Sequence, residues 1–204
     1  MDNVLIRFLI FIPGLFIALS AHEFCHALAA YLLGDQTAKQ QGRLTLNPLA
    51  HADLIGTIIL PFLLLLSGSS FMFGWAKPVP VNPYNLKNQR WGSAIVSVAG
   101  PLANLVLALI FGLILKIIIV YGLLPITNLL VSFLTFLVVI NIVLMVFNLI
   151  PIPPLDGSKI LFGILDSPKY EKFKFNLTRY GPYILLAVYL IGFGVLRQVF
   201  GFVV

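Results

Sequence analysis

Apolar residues fill long stretches of this chain, and polar residues are confined to the gaps between them. Long, predominantly apolar runs cover residues 4–33, 92–120, 128–150 and 182–203. A bilayer core about 30 Å thick needs roughly 20 apolar residues in a helix, so each run is long enough to cross. A fifth run, 54–73, contains Pro61 and then Ser67-Gly68-Ser69-Ser70. These are helix-breaking residues. The run is predicted to dip into the membrane and return to the same face, packed against protein. In the polar gaps, Leu44-Thr45-Leu46 and Val79-Pro80-Val81 are predicted as short extended pieces. The second can only be an edge, because proline has no N–H to donate. The pattern predicts an all-α polytopic membrane protein. About four transmembrane helices and one re-entrant segment would form a single domain over residues 1–204.

Composition agrees with this pattern. Of the 204 residues 60% are hydrophobic and only 10% charged, against about 25% charged in a soluble domain. The net charge of +6 could suggest nucleic acid in a soluble chain. Here the basic residues sit in loops between apolar runs, the orientation signal of membrane proteins, and no nucleic-acid module is present. With re-entry of 54–73, ten of the thirteen Lys and Arg fall on one face. That face is read as cytoplasmic, in a cell membrane. Ala18-Leu19-Ser20 resembles a signal-peptidase site. Cleavage there would cut just ahead of His22, so the first run is read as an uncleaved span. Cys25 is the single cysteine, so no intrachain disulfide forms, and it reads as a small buried apolar side chain.

One cluster breaks the apolar pattern. His22-Glu23-Phe24-Cys25-His26 lies inside the first run, where ionisable groups are expensive and mark function. His22 and His26, at i and i+4, leave the same helix face. Glu23 is offset from them by about 100° and 60°, within reach of a water on a metal that both hold. Two neutral imidazoles and a carboxylate base form the H-E-x-x-H arrangement of zinc peptidases. The bland alternative is a polar cavity without metal. A catalytic zinc site usually takes three protein ligands. Among the seven acidic residues, Asp156 stands out, because it follows a span broken by Pro151, Pro153 and Pro154. Its alternative role is a helix N-cap. Re-entry of 54–73 would bring His22, His26 and Asp156 to one face, whereas a full crossing would separate them.

These residues resemble the site-2 protease family of intramembrane zinc metalloproteases, in its small form without PDZ or CBS domains. The resemblance spans about residues 15–165. It rests on His22-Glu23-x-x-His26, Asn47-Pro48-x-x-His51, Ala99-Gly100-Pro101-x-x-Asn104, and Asn148 eight residues before Asp156-Gly157. It departs at Pro153-Pro154-Leu155-Asp156-Gly157, where the family motif is often N-P-x-D-G-like. It implies hydrolysis of peptide bonds in membrane-embedded protein or peptide substrates, within or beside the lipid. One zinc ion per chain would be held by His22, His26 and Asp156. Glu23 would deprotonate the zinc-bound water and pass the proton to the leaving amine. Asn148 would contact substrate or the developing oxyanion, or else form an interhelical hydrogen bond. Asn104 fits helix-to-helix bonding or a supporting role at the site. His51 fits a supporting role or a loop contact equally. An unwound substrate could pair with a short edge such as Leu44–Leu46. Two rivals remain at this stage, a divalent-metal transporter and a catalytically silent membrane-binding relative.

Overall fold

A computed structural model describes residues 4–67, 74–88 and 90–200. Helix α1 (Val4–Leu32) comes first, followed by one-turn helices α2 (Thr37–Gln40) and α3 (Pro48–His51). A π-helical turn, Leu54–Ile59, leads into α4 (Leu60–Leu66). Then come α5 (Gly92–Val120), α6 (Leu129–Asn148), α7 (Asp156–Ile164) and α8 (Glu171–Phe200). Among the described residues, three helices are long and apolar enough to cross a membrane, at Phe8–Leu32, Gly92–Val120 and Leu129–Asn148, and Leu54–Leu64 is a shorter apolar helix.

The expected runs 4–33, 92–120 and 128–150 therefore appear as helices with nearly the expected ends. The run at 182–203 is corrected at its start. Helix α8 begins at Glu171, because Lys172, Lys174 and Arg179 are good helix formers that hydropathy ignores. Pro182 lies inside the helix rather than at its head. Residues 68–73 of the expected re-entrant segment lie outside the described residues. On either side of them, the Trp75 N–H donates to the Gly56 carbonyl at 3.1 Å, and Thr57 Oγ1 donates to the Trp75 carbonyl at 2.7 Å. Trp75 thus lies against Gly56 and Thr57, near the start of the segment.

The expected extended pieces are also corrected, since no described segment forms a strand. Residues 44 and 45 are in bends. The Thr45 carbonyl accepts from His51 Nε2 at 2.8 Å, and Thr45 Oγ1 accepts the Asn47 N–H at 3.1 Å. Local side-chain bonds of this kind compete with strand pairing, and here they occupy the Thr45 carbonyl.

Helix α5 is the centre of the bundle and packs against α1, α6 and α7. Ile118 of α5 packs with Val131, Leu134 and Leu137 of α6. Phe11, Leu15 and Leu19 of α1 meet Phe136, Ile140 and Leu144 of α6. A Cβ on Gly14 would fall 2.6 Å from the Phe136 ring, so only glycine lets α1 and α6 approach this closely. The outward face of α5 carries exposed Leu102, Val106, Leu109, Leu113 and Ile117. An apolar exterior around a core that holds polar groups suits lipid rather than water.

Candidate metal centre

Helix α1 projects His22 and His26 from one face, and both are buried. Asp156 is also buried and opens α7. It is the first helical residue and caps nothing, because Leu155 is the N-cap and makes no side-chain cap bond. The Asp156 side chain points instead at the two imidazoles. The turn from α6 to α7 can deliver it there because residue 157 is glycine. A Cβ at that position would lie 2.2 Å from the Leu149 carbonyl oxygen.

Three ligand atoms converge. His22 Nε2 and His26 Nε2 are 3.0 Å apart. Asp156 Oδ2 lies 3.2 Å from the first and 3.0 Å from the second. A tetrahedral zinc at about 2.0–2.1 Å from each ligand would set these edges at about 3.3 Å. The outer nitrogens fix the tautomers. His26 Nδ1 is 2.7 Å from the Val96 carbonyl, which can only accept, so Nδ1 carries the proton. His22 Nδ1 is 2.5 Å from Asn104 Oδ1 and donates in the same way. Both Nε2 atoms are then bare in the neutral rings, and two lone pairs and a carboxylate oxygen face one another in a buried space. Such a set fits a divalent cation. Helix α5 leaves room for it at Gly100, where a Cβ would lie 2.4 Å from His26 Nε2 and 2.7 Å from His22 Cε1.

Glu23 is half-buried beside the triad, and its Oε2 accepts the Val79 N–H at 2.9 Å. Val79 lies between Pro78 and Pro80, neither of which has an N–H. Across the three residues 78–80 the only backbone donor is therefore the Val79 N–H, and Glu23 takes it. Buried Arg43 holds the segment from behind, with Nη2 2.6 Å from the Lys77 carbonyl. The His51 carbonyl accepts the Lys77 N–H at 2.9 Å. Asp35 secures the far end by accepting the Asn82 N–H at 2.7 Å and Asn85 Nδ2 at 3.0 Å. Burial alone would raise the Asp35 pKa, but the bonds from Thr37, Asn85 and Asn82 hold it below its ordinary value of 3.8.

The structure thus brings His22, His26, Asp156, Glu23 and Asn104 together. His51 is buried but acts as a loop clasp, with Nε2 donating to the Thr45 carbonyl and Nδ1 unpartnered among the described residues. Asn148 closes α6, where its amide nitrogen donates to its own helix at Leu144 O, 3.0 Å away. It makes no hydrogen bond to the triad. Two groups went unnoticed in the sequence. Asn141 bonds to Asn104 at 2.8 Å, and its only signal was being an amide in the middle of an apolar run. Lys159 places Nζ 3.7 Å from Asp156 Oδ1, the carboxylate oxygen that faces away from the imidazoles. It stands one turn further along α7, a spacing that helical geometry makes neighbourly.

Comparison with known proteins places this sequence in a family. The model of peptidase family M50 matches residues 10–127 and 116–191. The chain belongs to peptidase family M50, the site-2 protease family. Among the family's members, the Bacillus subtilis protein named "Putative zinc metalloprotease YwhC" is 39% identical over 183 residues, which is 88% of this chain and 80% of the relative. Proteins named Rip2, with the same zinc-metalloprotease designation, are 33% identical in Mycolicibacterium smegmatis and in Mycobacterium tuberculosis. Those matches cover 78% and 76% of this chain but only 57% and 56% of the relatives. No solved structure matches. Membership of M50 makes the chain a zinc metalloprotease of a membrane protease family, with proteins as its substrate class.

Proposed function

We propose that the chain is a single-domain intramembrane endopeptidase that binds one zinc ion through His22, His26 and Asp156. It would cleave membrane-embedded proteins or peptides near the cytoplasmic face. The observation that carries this reading is the meeting of two imidazole nitrogens and a carboxylate oxygen, all buried, with edges of 3.0–3.2 Å. When bound, zinc would supply a Lewis acid that acidifies water and polarises the scissile carbonyl. Glu23 lies one residue from His22, and its carboxylate is steadied by the Val79 N–H. It would take a proton from the attacking water and return it to the leaving nitrogen as the peptide bond breaks. Asn148 has one amide hydrogen left over after its bond to Leu144 O. That hydrogen would donate to substrate or to the developing oxyanion.

Re-entry of 54–73 supports a common depth for the three ligands, and the return of Trp75 to Gly56 supports re-entry. Cysteine labelling tests it: residues 34–53 and 75–90 should be accessible from the same face, and opposite accessibility would contradict it.

Purified wild type and Glu23→Gln should hold equal zinc. The variant should cleave a transmembrane peptide about 10²–10⁴-fold more slowly, the usual loss of a general base. Zinc flux into liposomes without cleavage would favour a transporter, and neither activity would favour a silent relative.

A further inference from the structure

Asn141 sits in the middle of α6 with none of its surface exposed, and Asn104 of α5 is equally buried. An amide inside an apolar span is costly unless its polar atoms are paired. Here the pairing has a direction. It starts at two backbone carbonyls, which can only accept. Asn141 Nδ2 is 2.8 Å from the Leu137 carbonyl of its own helix, so the nitrogen side of this amide is fixed. Its oxygen is thereby turned to Asn104, whose Nδ2 donates to it at 2.8 Å. Asn104 Nδ2 also lies 3.3 Å from the Ala18 carbonyl of α1. With its nitrogen turned to two acceptors, Asn104 must present its oxygen to His22 Nδ1, 2.5 Å away. That oxygen cannot donate, so His22 must protonate Nδ1 and leave Nε2 bare toward Asp156.

We propose that Asn141 is a positioning residue for the metal site, which through Asn104 sets the tautomer and ring orientation of His22. The inference rests on the zinc reading above. The relay joins α6, α5 and α1, and its endpoint is a ligand atom. His26 needs no such relay, because the Val96 carbonyl alone fixes it. The two imidazoles are thus oriented by different means, and only one depends on how three helices pack. Groups that orient a ligand from behind typically change metal affinity about 10–100-fold when removed.

The test measures zinc affinity by chelator competition on the full chain in detergent, together with the visible spectrum of the cobalt-substituted protein. Asn141→Leu removes the acceptor, whereas Asn141→Asp keeps an oxygen facing Asn104. Asn141→Ala is run alongside, so that a folding defect in one variant leaves the other readable. Asn141→Leu should bind zinc about 10-fold more weakly and shift the cobalt bands. Asn141→Asp should stay within about 3-fold of wild type. In an Asn104→Ala background, Asn141→Leu should change affinity less than about 2-fold, because the coupling runs through residue 104. Wild-type affinity and an unshifted cobalt spectrum in both Asn141→Leu and Asn141→Ala would overturn the proposal. So would an equal loss in both backgrounds, which is the signature of helix packing alone. A wild-type chain that binds no zinc would overturn the metal reading and the relay with it.

Discussion

The helical floor of the site and the polypeptide strap above it are built by different rules. In the floor, His22, His26, Gly100, Asn104 and Asp156 stand on α1, α5 and α7, and each is placed by helical period and close packing. In the strap, residues 74–82, the fixed points are bonds from distant loops to backbone: Arg43 to Lys77 O, Lys77 N to His51 O, and Asn82 N to Asp35. The floor holds the candidate ligand atoms, and the strap holds the proposed base, Glu23, through the Val79 N–H. Metal binding and proton transfer should therefore be separable by mutation. Damage to the floor should remove zinc, and damage to the strap should slow turnover while zinc stays.

Gly100→Ala should give the largest effect on the floor. Its Cβ would sit 2.4 Å from His26 Nε2, so the ligating ring must move. Zinc affinity should fall about 100-fold, the upper end for a supporting position, as read by chelator competition. Retention of wild-type affinity would break the distinction between floor and strap. Val79→Pro comes next, since it deletes the N–H while keeping an apolar residue between two prolines. Losing a hydrogen bond to a charged group should slow cleavage about 10-fold. Zinc content should be unchanged, and Val79→Ala should behave as wild type. Arg43→Met removes the clamp on Lys77 and should slow cleavage about 3-fold, a smaller loss because Arg43 acts on the base only through the strap. Zinc content should again be unchanged.

The smallest effect is expected at Asp35, measured by hydrogen exchange at the Thr37 and Asn82 amides. Its folded pKa is depressed, so its stabilisation is complete above the ordinary carboxylate pKa and is lost as pH falls through the lower folded value. Wild-type protection should persist from neutral pH down to about pH 4. Asp35→Asn should lack that protection at every pH, with zinc binding intact.

The same division explains what could be read from the sequence. Apolar runs of span length gave α1, α5 and α6, because burial in lipid selects length and composition directly. The H-E-x-x-H spacing and the proline-broken approach to Asp156 gave the converging ligands, because i and i+4 share a face. Asn141 stayed hidden because its partner depends on which faces of α5 and α6 meet. The strap stayed hidden because side-chain-to-backbone bonds leave no periodic trace. Leu44–Leu46 looked extended by composition, yet residues 44 and 45 are in bends and His51 takes the Thr45 carbonyl. His51 fitted a supporting role or a loop contact equally, and its carbonyl accepts the Lys77 N–H of the strap.

X-ray absorption at the zinc edge on the purified chain reads the ligand set itself. One zinc per chain is expected, with two imidazole nitrogens and a carboxylate oxygen at about 2.0–2.1 Å. A chain without bound zinc, or a spectrum dominated by sulfur at about 2.3 Å from Cys25, would contradict it.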